Sequence, residues 1–401
     1  MTSTDHLVCT ACAREVAIET VPSTCPDCGG ILDLRLGTGA AERAASSDAR
    51  SLWQWAPHLP SCRSEARVSL GEAGSPLFET PRLNEALGLA DLWIKNDSVM
   101  PTGSFKDRAI ALATSLACEY DREAMVLSSS GNAGASGAAY AARAGKPIVV
   151  LVPKTAPEAK LRQIAVTGAL LITIDGPTSE CCRLAELLAR ERGWVNLTTT
   201  FHNPYGVDAY ATIAYEVAAC QPDVLLLPIS SGPLLAGMMK GFERLQRDGA
   251  IARIPRPIAV QPTACAPIAR AFESGEGIRP WQHRHTVASA LNDTLEGYER
   301  DGDYTLAHVR RHGGAAIAID DPQILEGVRL VARLEGVVLE PSAAITVAAI
   351  GPLIETGLID PDARVLAVAT GHGLKDLSHV EIDVDAAIPP DVDRLLERLD
   401  A

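Results

Sequence analysis

No run in this 401-residue chain reaches the roughly 18–20 consecutive apolar residues that a membrane-spanning helix requires. The first residues, Met1 to Leu7, have no basic region leading into an apolar core, so the expectation is a cytoplasmic protein without a secretory signal. Positive charge is in deficit. Lys and Arg number 36 against 50 Asp and Glu, a net charge of −14, which argues against a nucleic-acid partner and suits a soluble metabolic enzyme. Charged low-complexity runs are also missing. With 47% hydrophobic residues, the chain is globular and long enough for roughly two or three domains.

Cysteine is present, in two groups. Cys62, Cys118, Cys181, Cys182, Cys220 and Cys265 are scattered, several within apolar helical patterns, and read as buried thiols of a reducing compartment. Cys181 and Cys182 would point to different sides of a helix, so no chemistry is assigned to them. The other four form two pairs, Cys9-Thr10-Ala11-Cys12 and Cys25-Pro26-Asp27-Cys28, separated by twelve residues. Each CxxC turn can present two thiolates to one metal, and two turns complete a tetrahedron. A redox pair or two disulfides is the alternative. Duplication within a short segment points instead to structural zinc in a ribbon over residues 1–36, with Gly29 and Gly30 turning the chain after the second knuckle. Four ligands leave no open position, so this metal would stabilise rather than catalyse. Asp5, Glu15, Glu19, Asp27 and Asp33 outnumber Arg14 and Arg35 there, against a nucleic-acid role.

Residues 37–50 have the composition of a linker, and Trp53 and Trp55 should pack it onto the main body. Beyond residue 106, strand and helix patterns alternate. Ala124 to Leu127 reads as a strand, Ala135 to Ala144 as a helix of small residues and Ile148 to Val152 as a strand. Leu170 to Ile174, Ser179 to Arg192 and Trp194 to Leu197 continue the alternation, and doubly wound α/β architecture follows. A second α/β segment begins near residue 205, with a strand over Asp223 to Leu227 and a helix over Met238 to Arg247. Two loops stand where such sheets bind ligands, after a strand and before a helix N-terminus. They are Ser128-Ser129-Ser130-Gly131-Asn132-Ala133-Gly134 and Pro228-Ile229-Ser230-Ser231-Gly232-Pro233-Leu234-Leu235. The first lacks GxGxxG spacing, which excludes a dinucleotide fingerprint. Either loop could be a plain polar turn. A third loop, Thr370-Gly371-His372-Gly373-Leu374-Lys375-Asp376, follows the last strand pattern, Arg364 to Ala369. His372 there, on a glycine turn, could be a base but reads first as an ordinary loop histidine.

The stretch around which these loops are arranged is Pro101-Thr102-Gly103-Ser104-Phe105-Lys106-Asp107-Arg108. Pro101 and Gly103 suit a tight turn, Ser104 is a natural helix cap, and an apolar helix follows from Ala109 to Cys118. Lys106 could be a solvated lysine at a helix start, but a cation in the first turn opposes the helix dipole.

This octet resembles the cofactor-lysine motif of threonine synthase, in the tryptophan-synthase-β-like (fold type II) family of pyridoxal phosphate enzymes. The likeness extends over most of residues 1–380, through Cys-Pro-Asp-Cys-Gly-Gly, Ser129–Asn132, Glu340-Pro341-Ser342-Ala343-Ala344 and Thr370–Asp376. It implies two doubly wound αβα domains behind the zinc ribbon. Residues 37–104 and 205–390 would form the large domain, with 105–204 inserted as the small one. Lys106 would carry the cofactor as a Schiff base and serve as general base. Asn132 would meet the cofactor ring oxygen, and Ser129, Ser130, Gly131, Asn132 and Ala133 the carboxylate of a small-molecule amino-acid substrate. Ser230, Ser231, Gly232, Leu234 and Leu235 would hold the cofactor phosphate, although Pro233 has no amide to donate. Thr370 would face the pyridine nitrogen. A homodimer is a further implication.

The likeness fails where the family binds a substrate phosphate. In the run Thr200-Phe201-His202-Asn203-Pro204-Tyr205-Gly206-Val207-Asp208-Ala209-Tyr210-Ala211-Thr212, Gly206 stands at the family's Arg, Ala211 at its Lys and Phe201 at its Ser. Ala290-Leu291-Asn292-Asp293-Thr294 likewise lacks its basic residue. The expectation is a β- or γ-eliminating or replacing enzyme with an altered substrate. The alternatives are a true threonine synthase that uses His202 or Lys154 on the phosphate, and a binding protein without turnover.

Overall fold

The computed structural model describes residues 4–37, 44–156, 158–282, 285–380, 387 and 390–399. Three sheets organise them. The first is a small antiparallel sheet of His6–Cys9 flanked by Glu15–Ala17 and Leu32–Arg35. The second has four parallel strands in the order Leu170–Ile174, Ile148–Pro153, Met125–Ser128, Val195–Asn196. The third has six, in the order Ala315–Ile319, Arg256–Pro262, Val224–Pro228, Arg364–Ala369, Asp91–Asn96, Leu77–Glu79. Only Leu77–Glu79 runs antiparallel to its neighbour in that sheet.

Parallel strands covered on both faces read as continuous apolar runs, and Val224–Pro228 shows why. Val224 and Leu226 join one apolar core, while Leu225 and Leu227 join the core on the opposite face. The four-stranded sheet packs one face against Asn132–Ala144, within an apolar core that also takes in Lys106–Glu119 and the N-terminal antiparallel sheet. Its other face meets Thr178–Arg192. Trp53 is buried in this core, as its expected packing role requires.

Three expected helix starts shift, and the helix expected from Ala135 begins at Asn132. The helix expected from Met238 starts at Pro233, because proline is tolerated at the first helical position, where its missing N–H has no intrahelical partner to lose. The helix expected from Ala109 starts at Lys106. Its N-cap is Phe105, without a side-chain hydrogen bond, so Ser104 does not cap it. The Ser104 hydroxyl is instead buried without a hydrogen-bond partner. Part of the expected linker, 38–43, lies outside the described residues, as do 381–386 and 388–389. Val392–Leu399 is helical and exposed. Among the described residues, no helix is long and apolar enough to cross a membrane.

A buried ion network fixes the start of the lysine-bearing helix. The Arg108 guanidinium donates to both Asp97 oxygens at 2.7 and 3.0 Å and to both Glu216 oxygens at 2.7 and 2.8 Å. The Lys95 ammonium lies 2.6 Å from Glu216 and donates to the Ser75 carbonyl at 2.6 Å. These contacts join Lys106–Glu119 to the six-stranded sheet and to the helix Pro204–Val217.

Candidate active site

Three separate stretches converge on the turn before Lys106. Ser104 pairs with Gly371 in an antiparallel bridge, and Leu339 pairs with His372. The Phe105 amide donates to the Thr370 carbonyl at 3.0 Å, and the His372 amide to the Gly103 carbonyl at 3.0 Å. The Glu340 amide donates to the Gly371 carbonyl at 3.1 Å. The Ser129–Ala133 loop joins through a side chain, since Asn132 Nδ2 donates to Glu340 Oε1 at 2.9 Å. The expected lysine, Ser-Gly-Asn and Thr-Gly-His-Gly stretches are therefore brought together, with Glu340 between two of them. His372 accepts the Leu374 amide on Nδ1 at 3.1 Å, which fits a loop-forming histidine.

The expected phosphate loop leaves the same edge of the six-stranded sheet as Thr370, because Val224–Pro228 and Arg364–Ala369 are parallel neighbours. Gly232 has φ +102°, and a Cβ there would run into the Thr305 side chain. Glycine thus lets the turn close against Thr305, whose hydroxyl donates to the Ser231 carbonyl at 2.6 Å. The helix Pro233–Arg247 begins there, and its first amides have no partner within the helix. The Ser231 hydroxyl is buried and unpartnered. Two orphaned buried hydroxyls, Ser104 and Ser231, and an open helix N-terminus match what an anionic, polar cofactor would satisfy. On these grounds the residues present fit pyridoxal phosphate.

Burial lowers the pKa of the Lys106 amine to about 8, opposed by the negative charges of Asp293 and Glu340. The amine lies 4.6 Å from the centre of the Phe105 ring. Such an amine is partly neutral near physiological pH, as a nucleophile or base must be. Asp293 is itself pushed up by burial, while the Tyr298 hydroxyl at 2.7 Å and the Leu295 amide at 3.1 Å act to hold it down. Asp301 rises to about 7 through burial, with Arg300 opposing and Asp293 adding to the rise. Sequence reasoning missed both acids as site residues. The available signal was the position of Asp293 in the stretch that lacks its expected base.

The N-terminal cysteines also converge. Sulfur–sulfur distances of 3.5 Å for Cys9 to Cys28, 3.7 Å for Cys12 to Cys25 and 3.5 Å for Cys12 to Cys28 place all four around one point. Gly30 carries no side chain where a Cβ would come within 2.8 Å of the Cys9 sulfur. A closed set of four thiols suits a tetrahedral metal.

The chain matches the family "Pyridoxal-phosphate dependent enzyme" over residues 68–371. It is 32% identical over 381 residues to the threonine synthase of Methanocaldococcus jannaschii, covering 92% of each chain. It is 33% identical over 330 residues to the threonine synthase of Mycobacterium leprae, covering 81% of this chain and 88% of that one. Maize serine racemase matches in fold with a TM-score of 0.65 at 22% identity, over 81% of this chain and 92% of that one. The processed threonine deaminase isoform 2 of Solanum lycopersicum matches with a TM-score of 0.65 at 19% identity, over 89% of each. With the family matched over most of its length and a converging lysine site that fits the cofactor, the chain belongs to the pyridoxal-phosphate dependent enzymes, as a lyase or synthase of the threonine synthase type.

Proposed function

We propose that this enzyme carries out a β- or γ-elimination or replacement on an amino acid whose side chain ends in a neutral or cationic group rather than a phosphate. Bound pyridoxal phosphate supplies an electron sink for the charge left at the substrate Cα. The chain's own groups do the rest. Lys106 holds the cofactor and moves the Cα proton. Ser129, Ser130, Gly131, Asn132 and Ala133 receive the substrate carboxylate, and Asn132 also meets the cofactor ring oxygen. Ser230, Ser231, Gly232, Leu234 and Leu235 cradle the cofactor phosphate, and Thr370 faces its ring nitrogen.

The observation that carries the substrate assignment is what stands at the three positions expected to serve a substrate phosphate. A Cβ on Gly206 would already lie 2.9 Å from the Ala109 Cβ, so an arginine there would collide with the lysine-bearing helix. Ala211 is fully buried. Phe201 is packed among Ile31, Val207 and Ala236, with its ring edge-on to Tyr304. The two substitutes for a phosphate gain no support either. Lys154 is exposed and paired with Asp175 at 2.5 Å. Burial lowers the pKa of His202, which disfavours its cationic form. Negative charge acts there instead, since Asp293 bears electrostatically on Lys106 and on Asp301.

The reading includes zinc held by Cys9, Cys12, Cys25 and Cys28 in a ribbon over residues 1–36. It also divides the catalytic body into 37–104 with 205–390 and 105–204. The segregation of strands 125–196 into their own sheet supports that division.

The test is a panel of amino acids read by the bound cofactor's visible spectrum, with coupled phosphate release from O-phosphohomoserine run beside the M. jannaschii relative. Losing two charge-assisted bonds to a phosphate corresponds to a rate at least about 100-fold lower. The spectrum should shift with amino acids that end in neutral or amino groups. Phosphate release at the relative's rate would overturn the assignment.

A further inference from the structure

Away from the lysine site, a second set of metal-type ligands converges. Glu243 lies on the helix Pro233–Arg247, and His308 lies on the helix Glu299–Arg311, with His312 just past its end. One carboxylate oxygen and one ring nitrogen from each histidine lie within 4.8 Å of one another. The histidines are one helical turn apart, with rings nearly parallel at 16° and centroids 6.5 Å apart. His312 Nε2 is 2.9 Å from Glu243 Oε1. His308 is 3% exposed, and its Nδ1 is buried without a hydrogen-bond partner. A buried ring nitrogen without a partner calls for an explanation, and a bound ion is one.

Two cations stand near this group. Lys240 is held by Asp33 at 2.5 Å and Asp208 at 2.6 Å, so its charge is already matched. Arg311 reaches Glu243 at only 3.5 Å, and its largely exposed side chain can turn outward.

We propose that Glu243, His308 and His312 form a second metal site, for a borderline divalent cation such as zinc, that clamps these two helices together. Two imidazoles and a carboxylate are a donor set zinc and cobalt accept, with a fourth position left for water. Metal–ligand bonds of about 2.0–2.1 Å place tetrahedral donors roughly 3.4 Å apart, so small side-chain rotations complete the site. The metal would replace the hydrogen bond between His312 and Glu243.

The position gives the clamp a consequence. The helix Pro233–Arg247 begins at the Ser230–Gly232 loop. Thr305, one turn before His308, donates its hydroxyl to the Ser231 carbonyl at 2.6 Å. A metal joining the two helices would hold Thr305 in register with that loop.

Cobalt(II) is the probe, titrated at micromolar concentration into the full chain freed of metal. Cobalt on four thiolates gives intense near-ultraviolet charge-transfer absorption, whereas cobalt on imidazole and carboxylate gives none. The wild-type chain should bind one equivalent without the thiolate band, beyond any equivalent that carries it. His312→Ala, at a half-buried position, and Glu243→Gln should each lose that equivalent while keeping the wild-type far-ultraviolet circular dichroism, which reports that the variant folds. If the wild type binds no equivalent outside the thiolate band, or if both variants retain it, the proposal fails. Neither result bears on the substrate assignment, which is read from the cofactor spectrum.

Discussion

Gly371 has no side chain, and the Glu340 carboxylate occupies the place where its Cβ would stand. That carboxylate also accepts from Asn132 and bears on the Lys106 amine. One methyl group at residue 371 would therefore displace an acid that touches two site stretches.

Gly371→Ala should destabilise the protein by about 1–3 kcal/mol, the range for overpacking a filled site. It should also weaken cofactor binding, because Glu340 moves away from Asn132. Thermal unfolding and a pyridoxal phosphate titration measure the two effects. Unchanged values in both would show that Glu340 relocates without consequence.

Arg108→Met removes the guanidinium shared by buried Asp97 and Glu216 and leaves Lys95 as the ammonium paired with Glu216. Breaking a buried network in this way costs about 3–5 kcal/mol, readable by urea unfolding at pH 7. The acid limb of wild-type stability follows from Glu216. Its arginine and lysine partners outweigh burial and lower its folded pKa to about 2, below the ordinary glutamate value. The stabilisation is present above the unfolded pKa and is lost as pH falls toward about 2.

In the cofactor-free enzyme, capture of added pyridoxal phosphate should accelerate as pH rises through about 8, where Lys106 loses its proton. Lys106→Ala should abolish the visible absorbance of the bound cofactor. Stopped-flow absorbance across pH 6–10 gives the profile. A midpoint near the ordinary lysine value would mean that burial does not act on this amine.

Asp301 carries an opposite pH signature. Its folded pKa of about 7 lies above the unfolded aspartate value, so the folded state binds more protons between the two. Wild-type stability attributable to this group falls as pH rises through that window. Relative to wild type, Asp301→Asn should gain roughly 2.5 kcal/mol between pH 5 and pH 8. Denaturant unfolding at the two pH values tests the sign directly, and an equal difference at both would remove Asp301 from the account.

The lysine turn, the Ser-Gly-Asn loop and the Thr-Gly-His-Gly loop were legible because each is a contiguous string at a strand end or helix start. The four cysteines were legible for a similar reason, since CxxC spacing is set by local chain geometry. The start of the helix Pro233–Arg247 was not, because a proline that forbids a helix interior is at home in its first turn. Ser104 misled for a related reason. Its residue type favours capping, but pairing with Gly371 places the chain so that Phe105 takes the cap position.

By itself the sequence determined the α/β class, a lysine turn that resembles a cofactor motif and a run without that family's cations, since all three are properties of short strings. Tertiary structure alone decided what surrounds them. It set the Glu340 carboxylate on the Asn132 amide, brought the charges of Glu340 and Asp293 to bear on the Lys106 amine, and closed Ala109 over the space beside Gly206. It also brought Glu243 to His308 and His312. These neighbours are far apart along the chain, and only the packing of sheets and helices makes them meet.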